Sequence, residues 1–167
     1  YYAAHPVVPL EKTAAVLNIE MFSPDGATRD IASWGRGRVS LEGDLKRVAE
    51  ARGRSYSPDP NLEAGFFYRA DHFAFARRGV PAITIGPGLD RLEGGVEAGR
   101  KLRDTYFANC YHQACDAWTV SWDPAGHAAD TLLVYDLGAG LANSRQWPSW
   151  EPESEFRAIR EQSESAR

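Results

Sequence analysis

Cysteine is scarce in this chain: of 167 residues only Cys110 and Cys115 are thiols. Four residues separate them, which suits a small disulfide-closed loop in an oxidising compartment and equally suits two reduced, packed side chains. A zinc site built on cysteine is disfavoured, because no second pair exists to complete four ligands. No run of eighteen apolar residues occurs, so no helix able to cross a membrane is expected. A basic block is also missing, and the net charge of -4 argues against nucleic acid as the main partner. There is no Gly-x-Ser-x-Gly elbow, Walker loop, His-Glu-x-x-His motif or dinucleotide-binding glycine fingerprint, and the glycines near 86–95 lack phosphate-binding spacing. The first residues, Tyr1-Tyr2-Ala3-Ala4-His5-Pro6, have neither the basic nor the apolar region of a signal peptide and no initiating Met. The expectation is a chain that starts mid-sequence or after processing, so its opening carries no information on compartment.

What is present is ordinary for one globular domain: 43% hydrophobic and 25% charged residues. Thr13 to Met21 is an apolar run of strand length, apolar on both faces until Asn18, which predicts a central strand covered by helices. Ser23-Pro24-Asp25-Gly26 reads as a turn and Asp30 to Gly35 as a second strand. Ser40 is placed to cap a helix running to about Arg52, with Leu41, Leu45, Val48 and Ala49 apolar and Gly53 as its stop. Ser57 to Asn61 reads as a loop, Asp71 to Arg78 as a helix stopped by Gly79, and Val80 to Gly88 as a buried strand and sharp turn. Residues 89–109 lack clean periodicity and predict a long loop with a helical piece. Asp123-Pro124 starts a long helix through Leu141, with Ala128, Leu132, Leu133, Tyr135, Leu137 and Leu141 apolar. Residues 1–150 are read as the domain and 151–167 as a charged helical tail. Alternating strands and helices define the class as α/β. Only three or four strands are legible, so the sheet is small or only partly supplied by this chain.

Chemistry concentrates in Cys110-Tyr111-His112-Gln113-Ala114-Cys115-Asp116. Neutral imidazole is the commonest metal ligand, and a carboxylate such as Asp116 is the usual group that orients it. The bland alternative for His112 is a hydrogen-bonded loop histidine. Glu20 ends the first strand; buried and unpaired it would need a cation, a metal or water, whereas at a strand end it can simply reach solvent. Tyr68-Arg69-Ala70-Asp71-His72 opens a helix. Asp71 suits a helix cap there, and Arg69 or His72 could alternatively face substrate. His5 and His127 carry no pattern and read as exposed or incidental. Trp122, Trp147 and Trp150 are expected to pack the C-terminal helices.

Four segments, in order, resemble the zinc exopeptidases of the bacterial leucyl aminopeptidase and aminopeptidase Y type, glutamate carboxypeptidase-like enzymes included. They are residues 1–12, Leu17-Asn18-Ile19-Glu20-Met21, the stretch from Tyr68 to Ala82 containing Arg69-Ala70-Asp71-His72-Phe73, and Tyr111-His112-Gln113-Ala114-Cys115-Asp116. The likeness extends over nearly the whole chain, through Asn143-Ser144-Arg145-Gln146-Trp147-Pro148 and the tail. It implies a three-layer α/β/α sandwich, present as a partial domain, and two zinc ions serving a water that attacks the N-terminal peptide bond. It further implies Glu20 as a ligand of one zinc, His112 as a ligand of the other, and Tyr111 as the partner of the developing oxyanion. Asp116, Arg69, Asp71 and His72 would then support the ligands or contact substrate.

Two departures qualify the resemblance. Most relatives carry aspartate where this chain has Glu20, one methylene longer but still able to reach a zinc. The family's first zinc histidine, its bridging aspartate and its Glu-Glu pair have no counterpart in this chain. The expectation is therefore the C-terminal portion of a periplasmic or secreted zinc aminopeptidase acting on peptides. By itself it should be inactive, with the N-terminal half supplied by the same precursor or by a separate chain. The competing readings are a catalytically dead, peptidase-like binding module and a glutaminyl cyclase-like acyltransferase.

Overall fold

A computed structural model describes residues 1–20 and 25–164. Met21 and the first half of the turn expected at 23–26 lie outside the described residues, as does the end of the tail.

Four strands form one sheet: β1 (Val16–Ile19), β2 (Asp30–Trp34), β3 (Ser55–Ser57) and β4 (Ala82–Pro87). Their spatial order is β1-β4-β2-β3. β4 runs parallel to β1 and antiparallel to β2, while β2 and β3 are parallel. The register sets Val16 opposite Ala82, Asn18 opposite Thr84 and Trp34 opposite Thr84. β4 is buried along nearly its whole length, as its continuous apolar sequence requires. β1 differs from the central strand expected, because among the described residues it forms one edge of the sheet and is only half-buried. β3 escaped the sequence reading: Ser-Tyr-Ser carries no apolar signature, and only pairing with β2 makes it a strand.

The helices are α1 (Leu41–Ala51), α2 (Phe73–Ala76), α3 (Gly95–Asn109), α4 (Ala125–Ala142) and α5 (Arg157–Glu164). α1 buries Leu41, Leu45 and Ala49, one stripe at fourfold spacing, against β2, β3, β4 and α4. Gly53 terminates the segment at φ +70°, a conformation cheap only without a Cβ. Ser40 does not cap α1 through its side chain; its hydroxyl accepts the Ser149 N–H instead, at 3.0 Å. α2 is a single turn rather than the eight-residue helix expected. The extended backbone of Ala70 delays its start, and Gly79 at φ +85°, lying against the Arg160 backbone, ends the turn after it.

α3 is the helical piece expected within 89–109, but it takes up 95–109, leaving far less loop than expected. Its sole buried residue is Gly99, which packs on the Leu89 carbonyl, so no apolar stripe exists to reveal it. α4 starts where Asp123-Pro124 indicates, with the Asp123 carboxylate accepting the Ala125 N–H at 2.9 Å. Its buried face is Gly126, Asp130, Leu133 and Leu137, whereas Leu132 and Tyr135 face solvent. Asp130 is tolerated there because Arg54 donates to its carboxylate at 2.6 Å and also to the Asp30 carbonyl at 2.6 Å. Burial pushes the Asp130 carboxyl up, and Arg54 opposes it.

The core joins Ile31, Leu45, Ile83, Ile85 and Leu133 to Phe67, Trp150 and Phe156. Trp150 is buried as expected, and its indole N–H donates to the Gly79 carbonyl at 2.8 Å. Trp147 stays half-exposed beside the Arg160 guanidinium. None of the helices among the described residues is long and apolar enough to cross a membrane.

Candidate functional site

Two polar clusters stand at a cavity of about 640 Å³. Its wall includes Trp34, Phe66, Phe107 and Trp122 with the carboxylates of Glu20, Asp25 and Asp116.

The first cluster is built around Glu20, an exposed carboxylate immediately after β1. Its Oε1 accepts two hydrogen bonds, from Asn18 Nδ2 at 3.0 Å and from the Asp71 backbone N–H at 2.8 Å. Asn18 also donates to Thr84 Oγ1 at 3.1 Å, and Thr84 Oγ1 lies 2.6 Å from His72 Nδ1. The Asp71-His72 segment thus meets the strand-end carboxylate through space, although not as a helix cap and a substrate contact. Asp71 acts through its main chain, and no side-chain cap bond forms at α2. His72 is 1% exposed, packed edge-on to Phe67, so it cannot touch substrate. Burial lowers its pKa to about 4, keeping the imidazole neutral. Arg69 is exposed with its guanidinium 4.6 Å above the Phe66 ring, itself part of the cavity wall.

The second cluster sits on the loop after α3. Cys110 and Cys115 are bonded, which decides between the two readings left open by the sequence. Inside that small ring His112 adopts φ +58°, the single non-glycine positive φ among the described residues. Its imidazole is exposed and stacks on the Tyr111 ring with centroids 3.8 Å apart. Tyr111 in turn packs on Phe107 at 4.8 Å and Tyr106 at 5.9 Å, both of which line the cavity. Asp116 does not orient His112: its Oδ2 accepts the Tyr106 hydroxyl at 2.8 Å. Burial, with Asp116 second, pushes the Tyr106 phenol up to about 12, so it remains a donor.

Sequence reasoning passed over Tyr106, Thr84, Trp122 and His127. Tyr106 lies in the stretch without periodicity, and Thr84 looked like one more residue of a buried strand. Trp122 and His127 stack with rings at 17° to each other and both line the cavity, so His127 is not incidental and Trp122 does more than pack helices.

Whether these groups suit a metal can be judged from their free lone pairs. Glu20 Oε2 accepts no hydrogen bond among the described residues, and the His112 imidazole forms none, so both have donor capacity to spare. In number they fall short: among the described residues no three His, Cys, Asp or Glu side chains come together as a metal-binding group. By themselves these residues do not fit a complete zinc centre.

The strand-end carboxylate of Glu20 and Asp116 of the disulfide-closed loop line one aromatic-walled cavity, while Tyr111 and His112 are not among its lining residues. The model of peptidase family M28 matches residues 1–136, and the chain belongs to that family. No curated protein and no solved structure matches it.

Proposed function

We propose that this chain is the C-terminal portion of a zinc-dependent aminopeptidase domain, contributing Glu20 and His112 as metal ligands and Tyr111 as an oxyanion partner. The observation that supports this reading is the shared cavity: Glu20 lines it just after β1, Tyr106 and Phe107, on which Tyr111 packs, line it from α3, and Asp116 lines it from the loop that follows. Zinc, when bound, polarises a carbonyl and makes water more acidic. For the chain's own part, Glu20 offers one oxygen while the other is tied by Asn18 and Asp71, and His112 offers an exposed imidazole from a disulfide-closed loop. Tyr111 offers a phenolic donor for negative charge developing on a scissile carbonyl. Asp116 supports that loop indirectly by holding the Tyr106 hydroxyl, and Arg69, stacked over the Phe66 ring of the cavity wall, would contact peptide.

The four-stranded sheet with its helices is, in this reading, part of a three-layer sandwich. The remaining ligands and the general base come from the rest of the catalytic domain, and the substrate is a peptide with a free N-terminus. The Cys110–Cys115 bond supports an oxidising, periplasmic or secreted setting. Hydrolysis of an aminoacyl chromogenic amide, with and without added zinc, tests the assignment. This chain alone should give no turnover above the blank. The complete domain should give zinc-dependent turnover that Glu20→Ala and His112→Ala each abolish. Robust turnover by the chain alone, or unimpaired variants, would sink it.

A further inference from the structure

An unbroken line of hydrogen bonds runs from a fully buried histidine to the exposed carboxylate of Glu20. His72 is 1% and Thr84 0% exposed, with Nδ1 and Oγ1 2.6 Å apart. Asn18 uses its amide nitrogen twice, donating to Thr84 Oγ1 at 3.1 Å and to Glu20 Oε1 at 3.0 Å.

Counting hydrogens gives this line a direction. The Asn18 nitrogen carries two, and both are used. Thr84 accepts one of them, and its own single hydroxyl hydrogen, sealed from water, needs an acceptor. The group in reach is His72 Nδ1, so the ring proton belongs on Nε2. This tautomer leaves the buried Nε2–H without a partner among the described residues, whereas the reverse, with Nδ1 donating, leaves both the buried hydroxyl hydrogen and the Nε2 lone pair unbonded, the costlier count. Burial favours the neutral ring that this direction requires. The polarity then propagates outward: Thr84 Oγ1 presents a lone pair, so Asn18 must turn its NH2 toward the strand end. Were the amide reversed, its carbonyl oxygen would face both Thr84 Oγ1 and the negatively charged Glu20.

We infer that His72 and Thr84 are positioning residues that set the Asn18 amide with its NH2 toward Glu20, fixing one carboxylate oxygen and leaving the other for a ligand. The ligand half of this statement rests on the proposed role of Glu20; the orientation half stands on the hydrogen bonds alone. His72 reaches the site only through Thr84 and Asn18.

NMR of the isotope-labelled chain tests it. At neutral pH, His72 should carry its proton on Nε2 and none on Nδ1; a ring protonated at Nδ1 overturns the inference without any variant. Thr84→Val keeps the shape and removes the hydroxyl. Solvent exchange of the Asn18 side-chain amide should then rise about three- to tenfold, and Thr84→Ser should restore it. A folded Thr84→Val chain with an unchanged Asn18 amide overturns the inference. Should Thr84→Val not fold, the wild-type tautomer and the Thr84→Ser spectrum still decide. Titrating zinc alone while following the Glu20 carboxyl carbon separates the two halves. Followed in the complete catalytic domain, a Glu20 carboxyl carbon that ignores millimolar zinc overturns the ligand half, and the Asn18 response independently decides the orientation half.

Discussion

Burial lowers the pKa of His72 from 6.5 to about 4, with the Asp71 charge opposing the drop. In the unfolded chain the same imidazole protonates near its ordinary value. As pH falls, the unfolded state therefore takes up the proton first, and the folded state follows only near 4. The stability tied to the neutral ring is fully present above about pH 6.5, is lost progressively between about 6.5 and 4, and amounts to about 3 kcal/mol. Urea unfolding at pH 7, 5.5 and 4 checks this. Wild type should lose more stability across that window than His72→Gln, and parallel curves would refute it. The sequence named His72 but misjudged its setting, because nothing local says that Phe67 and Thr84 close over the ring. Glu20 was legible as a strand-end carboxylate. Its engagement by the Asp71 N–H, 51 residues away in sequence, was not.

Between α3 and the cavity, the six-residue ring closed by Cys110 and Cys115 holds Tyr111 and His112. Such a short ring constrains the unfolded chain only modestly, by about 2 kcal/mol. Its stronger effect should be local, since it holds His112 in a backbone conformation that favours glycine. Replacing both cysteines by serine should lower stability by no more than about 2 kcal/mol while the amide resonances of residues 110–116 broaden or move. Thermal unfolding together with NMR measures both effects. A loop with unchanged resonances would remove the restraint from the account. At this scale the sequence was informative where periodicity is strong, as in α1 and at the start of α4. It was uninformative where packing is made by glycine or backbone, as at Gly99 in α3. In α4 the apolar count pointed to Leu132 and Tyr135, but the partner surfaces selected Leu133, Leu137 and the Arg54-paired Asp130.

Across the whole molecule, the charged segment after Trp150 fastens the fold's two sequence ends together. Phe156 is 5% exposed within the core, and Arg160 is 4% exposed, donating to the Leu10 and Thr13 carbonyls at 3.1 Å each. Arg38 pairs with Glu155, whose carboxylate also accepts the Tyr68 hydroxyl. Removing residues 151–167 should therefore cost at least the about 3 kcal/mol typical of deleting one buried phenylalanine. That is a large share of an ordinary domain's stability. Urea unfolding of residues 1–150 beside the full chain and Phe156→Ala gives the comparison, and equal midpoints would show that the tail is dispensable.

The sequence by itself determined the α/β class and the principal strands and helices. Hydrophobic period, turn residues and ordered motifs are local properties that any reading of the chain can reach. Only the tertiary structure decided that the Cys110–Cys115 bond closes, that Asp116 serves Tyr106 instead of His112, and that His72 lies sealed behind Thr84. Each of those outcomes depends on which polar group is within about 3 Å once water has been excluded. That is a relation between distant segments, and no local pattern records it.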